Sequence, residues 1–338
     1  LLSAAPVEAM AYTVPDTVRV GLESVCKNVA SASIGVWELQ IGMQKGDGFQ
    51  RGGVITSSGL FTARPAVGDY IAVDKTMDCA DALDMAKDMK KSGLDTYAAY
   101  LSGGEWTVYV KDASVSAVEA AADENASRVS FEGVAITGGE APVLVPENAV
   151  MMGGNVADTF KLNSMPYRGM LTFSVNGSSM TGVNIIGLEE YLYGVVPSEM
   201  PKSYDAEALK AQAVAARTYA MTKLGAHTGS GYQLCDTTAC QVYKGYSNEA
   251  DATTAAVDAT AGEVACYNGS PIEAVFSAST GGYTESSENV WNAAVPYLRA
   301  VPEPGEYGDN SWAKTLTLDE LTALLQAKGE NIGTAKDI

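Results

Sequence analysis

Apolar and polar positions change their period along the chain, and the changes mark three stretches. Asp16-Thr17-Val18-Arg19-Val20-Gly21-Leu22 alternates with a period of two, which predicts a half-buried strand. Glycines at 52–53 and the Ser57-Ser58-Gly59 break punctuate further strand-like runs, so residues 16–66 read as a small β-rich segment. From Tyr70 the rhythm becomes mixed. Tyr70–Val73 is strand-like, and Asp78 can cap a helix whose apolar residues Ala82, Leu83, Met85, Ala86 and Met89 recur at helical spacing before Gly93 stops it. Thr96–Leu101 and Trp106–Val110 predict two strands around a Ser-Gly-Gly turn. Ser114 can cap a second helix through Val118 and Ala122, and Val129–Phe131 predicts a closing strand. Residues 67–140 thus read as β-α-β-β-α-β, the split ferredoxin-like plan.

Gly138–Pro142 predicts a linker, and a larger unit runs from 150 to 338. Strand-like runs at Met170–Val175 and Gly182–Ile186 lead into Leu188-Glu189-Glu190-Tyr191-Leu192-Tyr193-Gly194-Val195-Val196-Pro197-Ser198-Glu199-Met200-Pro201. Glu189 and Glu190 suit the N-terminal end of a short helical turn. Glu199 stands between two prolines, in a stretch expected to differ from a helix interior, with Val195, Val196 and Met200 near it. A carboxyl held there is partly desolvated, which suits a general acid. The competing reading is a carboxylate that caps the next helix. That helix follows plainly, with Ser203 or Asp205 as cap and Leu209, Ala213, Ala216 and Ala220 along one face. Gln212 and Tyr219 lie on a neighbouring face, as groove lining or as a solvated edge.

Composition narrows the chemistry. The 338 residues carry 22 basic and 41 acidic side chains, a net charge of −19, which argues against nucleic acid as a partner. No apolar run is long enough to span a membrane. One histidine, His227, restricts histidine-based catalysis to a single candidate, and five cysteines are too few for a disulfide scaffold. Residues 1–15 read as the remnant of a secretory signal, with Ala9-Met10-Ala11 as an A-x-A-like cleavage site, or else as a disordered start; export is the working expectation.

Four blocks in order carry a resemblance. EYLYGVVPSEMP, EALKAQAVAARTYA, CDTTACQVYKGY, and SASTGGYTESSENVW with PYLRAV after it resemble the stage II sporulation protein D family, which includes LytB-type amidase enhancers. The resemblance covers residues near 160 to 315. It implies an α+β SpoIID-type catalytic domain over 150–338, continuing past residue 338, and it implies lytic transglycosylase activity on peptidoglycan. In that reaction the bond between N-acetylmuramic acid and N-acetylglucosamine is cut without water, leaving a 1,6-anhydro end. Glu199 is then the catalytic acid, and no cofactor is required. Residues 67–140 resemble the SPOR domain, a module that binds glycan strands.

Relatives in this family often carry a histidine just before the second cysteine of the third block, and some bind zinc there; here that position is Ala239. His227, Cys235 and Cys240 make a three-ligand set where a closed zinc site wants four, so a Cys235–Cys240 disulfide or two free thiols ranks above zinc. Gln241 and Tyr243 match the family's Q-V-Y, as sugar contacts or, for Tyr243, as core. Ala274–Phe276 predicts an apolar strand running into a small-residue turn, where Ser277, Ser279, Thr280, Gly281 and Gly282 would face a saccharide. Two readings of function stay open: a glycan-cleaving enzyme, and a non-catalytic protein that docks on peptidoglycan and enhances a cell-wall amidase.

Overall fold

A computed structural model describes residues 14–154, 159–303, 313–329 and 333–334; the signal-like start lies outside them. The chain forms two compact units, Leu1–Val275 and Phe276–Ile338.

The period-two run becomes β1 (Thr17–Gly21), which buries Val18 and Val20. A one-turn α1 (Glu23–Cys26) and a short β2 (Ala32–Ile34) lead to the hairpin of β3 (Glu38–Lys45) and β4 (Gly48–Thr56). The long β5 (Phe61–Val73) precedes α2 (Cys79–Lys91). Asp78 caps α2 by accepting from Asp81 N, and Ala82, Leu83, Ala86 and Met89 form its buried face. Next come the antiparallel pair β6 (Asp95–Ser102) and β7 (Glu105–Lys111), then α3 (Val115–Ala122), which Ser114 caps, then β8 (Ala126–Thr137). Hydrogen bonding orders these strands β8–β5–β7–β6, all antiparallel.

The Gly-rich stretch at 138–142 is no linker. Ala141 is buried, and the chain goes directly into β9 (Val143–Pro146), which pairs parallel to β6 and antiparallel to β8. That strand bridges the two open edges and closes a small β-barrel of β5, β7, β6, β9 and β8. The fold is mixed α+β.

Residues 16–66 do not stand apart either. After β10 (Val150–Gly153), β11 (Thr159–Leu162), β12 (Met165–Arg168), β13 (Met170–Asn176) and β14 (Ser179–Gly187), the later strand β15 (Leu234–Cys235) completes a second sheet. Its order is β15–β1–β14–β13–β10–β3–β4. β1 runs antiparallel to β14, Thr17 opposite Gly187, and parallel to β15, Gly21 opposite Cys235. One continuous apolar core links Val18, Val108, Val143, Leu192 and Val257, so packing sets no boundary at 140–150.

Helices α4 (Leu188–Glu199), α5 (Ala206–Lys223) and α6 (Asp251–Ala259) follow, then the tiny hairpin of β16 (Cys266–Tyr267) and β17 (Ser270–Pro271). The apolar run Ala274–Phe276, expected as a strand, is irregular. Val275 N donates back to Glu273 O, a local turn that uses the donor a ladder would need. The second unit holds α7 (Ser287–Trp291) and α8 (Leu318–Ala327), the latter opened by a reciprocal Thr317–Glu320 capping box.

Candidate active site

Glu199 is the last residue of α4, not part of a stiff loop between prolines. Pro197 costs the helix one donor but does not break it. Met200 N still reaches Val196 O at 2.9 Å, and Ser198 Oγ bonds Gly194 O at 2.7 Å. The helix stops at Met200 because Pro201 follows: a residue before proline is pushed out of the α region, and Met200 sits at φ −134°, ψ 132°. Glu199 is half-buried. Its Oε1 accepts the backbone N–H of Val242 at 2.7 Å, so one carboxyl oxygen is pinned by the main chain of a loop 43 residues on.

The three residues Gln241-Val242-Tyr243 divide that task. Gln241, 1% exposed, donates from Nε2 to Ala216 O on α5, while the Tyr191 hydroxyl lies 3.5 Å from its Oε1. Tyr243, 3% exposed, packs its ring 5.1 Å from Tyr191 on α4 and donates its hydroxyl to Asn184 Oδ1 on β14 at 2.9 Å. Asn184 is fully buried, and its Nδ2 is spent on the carbonyls of Arg168 and Met170. Complete burial drives the Tyr191 and Tyr243 hydroxyls well above the usual phenol range, so both are neutral. Both Q-V-Y side chains are thus committed inward, and what they fix is Val242 N–H. A Cβ on Gly194 would lie 2.6 Å from the Tyr243 ring, so α4 can approach Tyr243 this closely only through glycine.

Asp205 caps α5, accepting from Glu207 N. On this helix Gln212 is 7% exposed, and among the described residues its Nε2 has no hydrogen-bond partner. Tyr219 is half-buried, with Lys223 Nζ 5.4 Å from its ring centre. The sequence reading missed Arg217. Fully buried, it holds Glu189 in a bidentate pair at 2.8 and 2.6 Å and also donates to Glu263 O and Val257 O. One guanidinium thereby ties the start of α4 to α5 and to the end of α6, a geometry a planar fork suits. An arginine on the Ala-rich side of a helix, one turn from Ala213, was the available signal.

His227, Cys235 and Cys240 come together, their ligand atoms within 4.8 Å of one another. Both thiols are free, and His227 Nε2 lies 3.3 Å from Cys240 Sγ. On the other side of the ring, Nδ1 lies 4.0 Å from Glu23 Oε1, which accepts from the Tyr232 hydroxyl. Two soft sulfurs and an oriented imidazole suit zinc, with three protein ligands and one position left to another donor.

In the second unit, Ser277 and Ser279 are exposed. Thr280 Oγ1 donates to Glu303 Oε2 and accepts from Gly282 N. Gly281 and Gly282 adopt φ +69° and +97°, so the small-residue turn is present although the strand before it is not.

Residues 176–267 match the family model described as SpoIID, Stage II sporulation protein. The chain therefore carries a SpoIID-family domain, which runs from β14 through α4, α5 and α6. It is 49% identical over 130 residues to the amidase enhancer of Bacillus subtilis strain 168, covering 38% of this chain and 17% of that protein. It is 38% identical over 163 residues to stage II sporulation protein D of the same organism, 43% of this chain and 48% of the relative. The Bacillus amyloliquefaciens protein of that name matches at 39% over 155 residues, 41% and 45% of the two chains. The chain thus spans less than half the length of each of these relatives.

Proposed function

We propose that this chain acts on the bacterial cell wall as a lytic transglycosylase that cuts peptidoglycan glycan strands, with Glu199 as acid and then base. The observation that carries the reading is the Val242 N–H bond to Glu199 Oε1 at 2.7 Å on a half-buried carboxyl. With Oε1 pinned, Oε2 is the oxygen that carries the proton. Oε2 protonates the glycosidic oxygen, and the C1–O bond breaks toward an oxocarbenium-like state. The sugar's own 6-hydroxyl then attacks C1 and returns its proton to Glu199, leaving a 1,6-anhydro end. A hydrolase needs a second carboxyl for its water or its nucleophile; here the substrate supplies the nucleophile.

Gln212 and Tyr219 are proposed sugar contacts, and the unpaired Gln212 Nε2 is a donor that a sugar hydroxyl would satisfy. The 277–282 turn, in the second unit, is proposed as a sugar contact in its own right. His227, Cys235 and Cys240 would hold a zinc ion that braces the loop leading to Val242, a structural role with no part in bond cleavage. The strand order β8–β5–β7–β6, crossed by α2 and α3, supports reading residues 67–140 as a split ferredoxin-like, SPOR-like module on the same glycan. An exported protein at the cell envelope fits this substrate. Among the described residues no helix is long and apolar enough to cross a membrane.

The name of the 49%-identical relative favours a second reading, in which the chain binds glycan and stimulates an amidase without cutting. Mass spectrometry of products from purified glycan strands separates the two. The wild type should release 1,6-anhydro ends, and Glu199→Gln should lower the rate by about 10²-fold or more. A Gln variant as fast as the wild type would end the catalytic assignment. No product from either protein, together with faster amidase turnover, would establish the second reading.

A further inference from the structure

The metal-ligand cluster draws on a part of the chain far outside the SpoIID match. Among the described residues, His227, Cys235 and Cys240 are the ligands that come together. The backbone places both thiols. Cys235 lies in β15, opposite Gly21 of β1, and Cys240 N donates to Thr237 O in a tight turn that folds the second cysteine back toward the first. His227 has no such support, since it sits in a turn after α5, outside any strand or helix. With one nitrogen in the set, metal binding depends on where this imidazole points.

Side chains set its direction. The ring lies nearly flat against buried Tyr232, with centroids 5.4 Å apart and planes 24° from parallel. Tyr232 is held in turn. A Cβ on Gly21 would lie 2.4 Å from its ring, so β1 closes on it only through glycine, and its hydroxyl donates to Glu23 Oε1 at 2.6 Å. Lys27 Nζ takes Glu23 Oε2, one turn along α1. Glu23 Oε1 then stands 4.0 Å from His227 Nδ1, while Nε2 on the other edge of the ring faces Cys240 Sγ at 3.3 Å. A carboxylate behind the imidazole favours the tautomer with its proton on Nδ1 and leaves the Nε2 lone pair for a metal. The Glu23 side chain is only 11% exposed, so water screens that pull little. The next residue of α1 holds the other side of the site: Ser24 N donates at 3.0 Å to Asp236, which follows Cys235.

We infer that Glu23 is the outer carboxylate of this metal site, a positioning residue that aims His227 at zinc. The helix that carries it, α1, therefore belongs to the site although it lies far upstream of residue 176, where the family match begins. Glu23 is not itself a ligand of the same ion, because it stands on the opposite edge of the ring from both sulfurs and is already bonded to Tyr232 and Lys27. The inference rests on the zinc reading above, and glycan cleavage does not enter it.

Zinc affinity of the full chain tests it, read on reduced, metal-free protein by competition with a chromophoric chelator. Glu23→Ala should bind zinc about 10- to 100-fold more weakly than the wild type. Glu23→Gln, which keeps an acceptor behind the ring, should recover part of that loss. Lys27→Ala removes an exposed partner of Glu23 without touching His227 and should keep the wild-type affinity. Cobalt(II) in place of zinc gives a signature that loss of fold would not imitate. In Glu23→Ala the thiolate charge-transfer band should persist, because both sulfurs stay, while the d–d bands shift as the imidazole turns. Wild-type zinc affinity in Glu23→Ala, a loss in Lys27→Ala as large as in Glu23→Ala, or an unshifted cobalt spectrum would each overturn the inference and leave zinc binding intact. A wild type that takes up no zinc would overturn the zinc reading and the inference together. Product release from glycan is measured separately, so the assignment of Glu199 stands or falls apart from either.

Discussion

In the proposed mechanism Glu199 gives up a proton and takes it back, which asks for one oxygen held still while the other exchanges. The backbone N–H of Val242 holds Oε1, and a main-chain donor cannot rotate away as a side-chain donor can. Gln212 shows the opposite economy. A buried amide nitrogen without a partner costs about 1–3 kcal/mol, so Gln212→Met should raise the midpoint of thermal unfolding while weakening glycan binding. A drop in the midpoint would mean that the amide is already satisfied. Cys26 sets a limit at alkaline pH. Burial pushes its thiol from the ordinary 9.0 up to about 11, so the unfolded chain loses that proton first as the pH rises. The stability this neutral thiol supplies is whole below pH 9 and drains as the pH climbs toward 11, by about 3 kcal/mol. Denaturant titrations on both sides of that window should show a shallower loss in Cys26→Ala than in the wild type.

At the scale of elements, α4 carries the site through its two ends. Its first turn is fixed by Arg217 to Glu189, and its last turn ends where Pro201 forces Met200 into an extended conformation. Between them Gly194 lets the helix lie against Tyr243. Gly194→Ala puts a methyl into that ring, which Asn184 and Tyr191 hold in place. It should cost about 1–3 kcal/mol as overpacking and should also reduce glycan cleavage, because α4 and the Val242 loop part. Urea titration reads the first effect and product release the second; a variant unchanged in both would show that the ring yields.

Across the whole molecule, the SpoIID-matching stretch is not self-sufficient. β1, more than 150 residues earlier, fills the gap between β14 and β15, and Asp236 accepts from Ser24 N while its own N–H reaches Gly21 O. Without β1 two strands that carry the site have bare edges, which invite aggregation. A fragment of residues 150–275 should therefore be unfolded or insoluble by circular dichroism and sedimentation. A folded monomeric fragment would show that β1 is dispensable.

The periodicity of the chain determined much of the local structure. The caps at Asp78 and Ser114, the choice of Ser203 or Asp205 ahead of α5, the buried face of α2, and the places of β1, β6, β7, β13 and α5, to within a few residues at their ends, follow from spacing and capping chemistry, which act within a few residues. Glu199 was legible as the carboxyl set among prolines and apolar neighbours, though its place at the end of a helix was not. What spacing cannot show is a partner distant in sequence. β9 closing the barrel, β1 entering the site's sheet, Arg217 joining three helices and Val242 N–H meeting Glu199 all join segments that local pattern leaves independent. Those pairings arise when buried groups must satisfy their hydrogen bonds inside one shared core, and only the tertiary structure decides them.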